Sequence, residues 1–176
     1  MKLHSIALAA FAVFVAGSAH ADMYSANGSI TLTDATFNRP VSFMTLSGVG
    51  TAVHYDQLVI IGATPGLYNF RMQAVPGGSF DTFLALYAGA FDPAAALTNL
   101  VALNDDFTNI ASGSGFSFSL AAGVTYTVIS TAFSNSGVGD YTTTVTTVVP
   151  EPASYALMVL GLAVVGAAAR RRTERA

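Results

Sequence analysis

Cysteine and tryptophan are missing from this chain, lysine occurs only as Lys2, and glutamate only as Glu151 and Glu174. Without cysteine there is no disulfide, no thiolate nucleophile and no sulfur-ligated metal, so stability has to come from a buried core. A chain of 176 residues is long enough to build one. Between Asp22 and Val149 the basic residues are Arg39 and Arg71 alone, against Asp22, Asp34, Asp56, Asp81, Asp92, Asp105, Asp106 and Asp140. So acidic a body repels DNA and RNA, whose binding needs Lys and Arg to displace phosphate counterions. Nucleic acid is excluded. Scarce glutamate removes the usual acid of a glycosidase pair. With His54 the single histidine of that body, zinc ligation is poorly supplied. No glycine-rich loop precedes a helix, so a nucleotide has no phosphate cradle.

Charge is scarce as well, 10% of residues, partly because both ends are apolar. "MKLHSIALAAFAVFVAGSAHA" places Lys2 before an apolar run from Ile6 to Ala16 and closes on Ala19-His20-Ala21. This is the layout of a secretory signal peptide with an A-x-A cleavage site, and it predicts a helical signal peptide over 1–21 and a mature start at Asp22. The run is too short for the roughly 20 residues that span a bilayer. At the other end, Ala153 to Ala169 carries no charge and Arg170, Arg171 and Arg172 follow at once. As a helix that stretch reaches about 25 Å, the short end of a hydrocarbon core, which predicts a transmembrane helix over 153–169. Pro152 suits its first position, and the arginines stay cytoplasmic by the positive-inside rule. On these residues alone, a plain membrane anchor is the simple reading. The plan is thus a signal peptide (1–21), a body (22–148) and a tail (149–176).

The body shows strands and no helical periodicity. Runs rich in β-branched and aromatic residues are separated by Gly, Pro, Asn and Ser. The candidates are "SITLTDATF", "VSFMTLSG", "VHYDQLVIIG", "LYNFRMQAV", "DTFLALYAG", "LVALNDDF", "GFSFSLAAG", "TYTVISTAF" and "YTTTVTTV". In "FSFSL", Phe116, Phe118 and Leu120 face one way and Ser117 and Ser119 the other, as in a half-buried strand. "TFLALYAG" is apolar on both faces, which suits an inner strand. Turn glycines are expected at Gly62, Gly66, Gly77-Gly78, Gly113, Gly115, Gly123, Gly137 and Gly139. "FDPAAALTNL", with Asp92 to cap and Pro93 behind it, is the one local helix candidate. The fold class expected is all-β, a two-sheet sandwich.

The run from Tyr55 to Val145 resembles the bacterial pre-peptidase C-terminal domain. The resemblance rests on Asp81-Thr82-Phe83-Leu84-Ala85-Leu86-Tyr87, on Asn104-Asp105-Asp106, on Leu120-Ala121-Ala122-Gly123-Val124-Thr125-Tyr126, and on Gly139-Asp140-Tyr141-Thr142-Thr143-Thr144-Val145. Thr143 departs from the usual leucine, which weakens a core contact of the last strand. The resemblance implies a jelly-roll-like sandwich serving as a non-catalytic accessory module. The tail, from Val149-Pro150-Glu151-Pro152 through 153–169 to Arg170–Arg175, resembles the PEP-CTERM sorting signal of Gram-negative bacteria. That resemblance implies an exported protein meeting signal peptidase, then an exosortase (a membrane-embedded cysteine peptidase) that removes the helix. It also implies transient residence in the inner membrane, a final place in the envelope or outside the cell, and an association with exopolysaccharide or biofilm. The anchor is then a temporary one.

Catalytic chemistry is poorly supported. His54 beside Tyr55 and Asp56 suggests a serine triad, yet no G-x-S-x-G elbow exists and "GSG" at 113–115 lacks the spacing. A histidine half-exposed on a strand is the simpler reading, and no enzyme is expected. Asp81, Asn104, Asp105 and Asp106 could offer hard oxygens to calcium, although their spacing matches no EF-hand and an acidic Asx turn is the alternative. No cofactor beyond that calcium is expected. Tyr24, Tyr55, Tyr68, Tyr87, Tyr126 and Tyr141 could stack on sugars, but alternation sends most of them to the core. The function expected is a non-enzymatic envelope or matrix protein that makes adhesive or polysaccharide contacts. A small secreted hydrolase or a carbohydrate-binding accessory module is the alternative.

Overall fold

The computed structural model describes residues 23–75, 80–107, 113–148 and 152–173. The expected signal peptide with Ala19, Ala21 and Asp22 lies outside them, as do Gly77-Gly78 and Val149, Pro150 and Glu151. Chain contacts divide the protein into a β-body within 21–148 and a second unit holding the tail.

The strands of the body are β1 (Met23–Ile30), β2 (Thr36–Phe37), β3 (Pro40–Ser42), β4 (Thr45–Leu46), β5 (Val53–Ile61), β6 (Gly66–Ala74), β7 (Thr82–Ala88), β8 (Leu100–Asn104), β9 (Gly113–Leu120), β10 (Thr125–Ala132) and β11 (Gly139–Thr147). They form a four-stranded sheet, β1-β11-β6-β9, a five-stranded sheet, β2-β5-β10-β7-β8, and the small β3-β4 ribbon. Every pairing is antiparallel. The long strands alternate between the sheets except at β7–β8, the winding of a jelly roll.

Period-two patterning explains the layers. Tyr68, Phe70, Met72 and Ala74 of β6 point inward with Tyr141 and Val145 of β11, and meet Leu84, Leu86 and Val128 of the other sheet. On β9, Leu120 is buried and Phe116 and Phe118 pack against that core, while Ser117 and Ser119 are exposed. β7 lies between β10 and β8 and is buried on both faces, as its sequence demands. Leu84 and Leu86 face the inter-sheet core, whereas Phe83, Ala85 and Tyr87 face a second cluster with Phe37, Val53, Ala96 and Ile129. That cluster is roofed by the β7–β8 connection. There Asp92 accepts a hydrogen bond from Ala94 N–H at 2.9 Å and starts a single 3-10 turn, Pro93–Ala95, and Tyr87 donates its hydroxyl to Ala96 O at 2.9 Å.

Hydroxyl pairs help to join the sheets. Thr143, where an apolar residue was expected to be missed, is fully buried and meets Ser130 Oγ at 2.8 Å, so its polarity is satisfied across the core. Thr82 Oγ1 donates to Ser114 Oγ at 3.1 Å, and Tyr141 donates to Asp56 at 2.9 Å. Burial, then the bond to Asp56, pushes the Tyr141 phenol well above its ordinary pKa, so it remains a donor.

Two sequence expectations are corrected. "SITLTDATF" is not one strand: β1 ends at Ile30, and Asp34 accepts from Thr31 N–H at 2.6 Å to close a turn before β2. "VSFMTLSG" is the β3–β4 hairpin, with Phe43 and Met44 exposed at its turn.

Leu84→Ala or Leu86→Ala should cost about 2–5 kcal/mol, because the inter-sheet layer closes only partly over the space left. Val59→Ala, at a position 57% exposed, should cost less than about 0.5 kcal/mol. Urea midpoints of the three variants, at unchanged slope, check both.

Candidate functional site

The acidic candidates gather at one end of the β7–β8 pair. Leu84 pairs with Asn104, so Asp81, just before β7, and Asp105 and Asp106, just after β8, come to the same end. Beneath them lies Arg39, between β2 and β3, only 1% exposed. Its guanidinium carbon sits 4.5 Å from the Phe83 ring centre and 4.3 Å from that of Phe133. Nε donates to Phe133 O at 2.8 Å, and Nη1 to Pro40 O at 3.2 Å. Gly50 makes room for it: a Cβ there would fall 2.6 Å from Nε. Burial lowers the Arg39 pKa, while Asp105 and then Asp81 hold its charge.

Arg39 therefore places a positive charge at the rim whose oxygens were the calcium candidates. Among the described residues no group of three or more His, Cys, Asp or Glu side chains is placed to hold a metal ion. Asp81, Asn104, Asp105 and Asp106 share an end of the sheet. One detail stands apart: Asn104 Oδ1 is buried and accepts no hydrogen bond. Sequence reasoning missed Arg39. Its signal was a lone arginine beside a proline in a body with almost no cations.

His54 lies on β5, and its Nδ1 is 2.8 Å from Asp34 O, the contact of a strand-anchored ring. Tyr68, Tyr87, Tyr126 and Tyr141 are buried, as alternation required, and Tyr24 and Tyr55 are half-buried. "GSG" at 113–115 is neither an elbow nor a turn but the start of β9. Strand alternation puts Gly113 and Gly115 on the outer face, where the Phe107 side chain covers Gly115.

The tail forms a helix, α1 (Pro152–Thr173), that begins at the expected proline and carries Arg170, Arg171 and Arg172 in its last turn. Arg170 and Arg171 are exposed, as are Leu157, Met158, Val159, Leu160, Leu162, Val164 and Val165. The expected transmembrane helix over 153–169 is met as a helix only. No helix among the described residues is long and apolar enough to cross a membrane.

A family model of the PEP-CTERM protein-sorting motif matches residues 148–172. The match spans the proline-glutamate box and α1 through its arginines. No curated protein matches the chain. The motif marks an exported protein sorted by an exosortase to the cell envelope or the extracellular space.

The rim has a pH signature. Burial, then Asp106 and Asp105, raises the Asp81 pKa above 3.8, against a smaller lowering by Arg39. The folded state therefore holds a proton more readily than the unfolded one, and stability falls as pH rises from the unfolded value through the folded one. Asp81→Asn should raise the melting temperature at pH 7, modestly because the side chain is exposed, and leave it unchanged near pH 3. Melting curves across that range check the sign.

Proposed function

We propose that this chain is a non-enzymatic component of the cell envelope or extracellular matrix, delivered by its sorting tail, whose β-sandwich makes adhesive or polysaccharide contacts in a biofilm. The observation that carries the proposal is the PEP-CTERM motif over 148–172. Signal peptidase acts first, after Ala21, and the exosortase second, near Val149-Pro150-Glu151-Pro152. The inner membrane is occupied only between those steps. The body resembles a pre-peptidase C-terminal domain, and its jelly-roll winding supports use as an accessory module. His54 Nδ1 lies against the Asp34 carbonyl, the bond of a strand-anchored ring, which supports the non-enzymatic reading.

Intact mass of the protein recovered from a host with an exosortase tests the route. The expected species starts at Asp22 and lacks α1; one retaining Ala153 to Arg175 overturns processing. In the same host, removing Arg170, Arg171 and Arg172 should impair retention and sorting, because the positive stop is lost, and unchanged sorting counts against this reading.

No cofactor is required in this reading, because Arg39 already faces the rim carboxylates. Calcium is the second reading, favoured by the unpartnered Asn104 Oδ1. Melting with excess chelator and then with millimolar calcium should give the same midpoint. An upward shift specific to calcium, and lost in the Asp105→Asn, Asp106→Asn double variant, would establish the second reading instead.

A further inference from the structure

The outer face of the four-stranded sheet serves neither the core nor the rim. Its register lays rows of residues across the strands. One row is Asn27, Thr142, Gln73 and Gly113; the next is Ser25, Thr144, Arg71 and Gly115. Arg71 alone in these rows is charged. With Arg39 buried, it is also the guanidinium of the described β-body that reaches solvent.

The glycines at the β9 end have a purpose. Phe107 N–H donates to Gly113 O at 2.8 Å, which draws the residue back over the sheet after β8. A Cβ on Gly115 would fall 2.6 Å from Phe70 O and 3.2 Å from the Phe107 ring, so bare backbone lets the ring lie there. The Arg71 guanidinium carbon stands 3.7 Å from the centre of that ring. A depression of about 100 Å³ opens beside it, lined by Arg71, Met72, Gln73, Thr142 and Thr144.

We propose that this depression is a subsite for the carboxylate of an acidic sugar residue in an extended polysaccharide. The proposal rests on the reading above that the sandwich contacts polysaccharide, and it names where and by what chemistry. The depression takes one substituent, with the ring and its neighbours lying over the uncharged hydroxyl and amide rows. A guanidinium meets a carboxylate through two parallel hydrogen bonds, which an ammonium cannot reproduce. Stacking on Phe107 holds Arg71 in place before binding, so less side-chain freedom is lost on association. Gln73 and Thr144 flank it with donors and acceptors for adjacent sugar hydroxyls. Asp140 at the corner of the face and Asp105 and Asp106 ahead of Phe107 oppose a polyanion. Their effect fades beyond about 8 Å at physiological salt, which makes the attraction local and each single contact weak. A repeating polymer compensates by presenting many copies of the same group.

The test is binding of the full-length protein, in mild detergent, to polygalacturonate and to uncharged dextran. Polygalacturonate should bind, more weakly as salt rises, and Arg71→Gln should weaken it about tenfold, the loss of one charge-assisted pair. Arg71→Lys, which keeps the charge without the fork, should recover only part of this. Unchanged polygalacturonate binding by Arg71→Gln overturns the subsite. Equal binding of dextran by wild type and variant, without polygalacturonate binding, also overturns the subsite but leaves the polysaccharide reading standing. Binding of neither polymer overturns both. If Arg71→Gln lowers the melting temperature, Gln73→Ala at its exposed position takes its place, with a several-fold loss expected and no loss counting against the site.

Discussion

A guanidinium buried between two phenyl rings constrains much of this body. Arg39 belongs to the irregular stretch between β2 and β3, yet its hydrogen bond and ring contacts reach Phe133, just past β10, and Phe83 on β7. Burying a cation costs several kcal/mol unless neighbouring groups compensate. Here carbonyl oxygens, aromatic faces and the carboxylates of Asp105 and Asp81 do so. The acidic rim, the bare backbone at Gly50 and the course of the β3–β4 hairpin thus follow from one residue. Backbone bonds close the arrangement: Arg39 N–H donates to Gly50 O at 3.0 Å, and Ser47 N–H to Arg39 O at 2.8 Å.

Export to an oxidising compartment permits disulfides, and this chain uses none. Paired hydroxyls take part in holding the layers in register, Thr143 with Ser130 and Thr82 with Ser114. Each of these groups is buried and bonded, so sliding one sheet over the other would strand them. Small polar residues in the core therefore add specificity to a packing that apolar contacts alone leave less directional.

Much of the architecture was legible because period-two patterning survives wherever one face is wet. β5, β6, β9 and β11 are of that kind, β7 declared itself by being apolar on both sides, and β10 is buried on both faces with its hydroxyls bonded inside. β1 was hidden, since "MYSANGSI" is made largely of small polar residues and holds its place by pairing with β11. Gly113 and Gly115 misled because glycine usually marks a turn; here Gly115 marks a close approach by the Phe107 ring. Arg39 and Arg71 were visible only as scarce charges. What each one stacks upon is a tertiary fact that no local pattern carries. The tail was readable from its composition, since a proline-glutamate box, an apolar stretch and terminal arginines are all features of sequence order.

The pairing of β1 with β11 joins the first described strand to the last, with Met23 opposite Thr146. It also decides how the body bears mechanical load. β11 lies between β1 and β6, held along its length by both ladders. A pull delivered through the chain that follows Thr147 runs along β11 and meets those ladders in shear, so many hydrogen bonds must fail together. A pull between Met23 and Thr146 would instead open the same pair like a zipper, rung by rung. A body loaded through the chain that follows Thr147 is therefore loaded in the resistant direction.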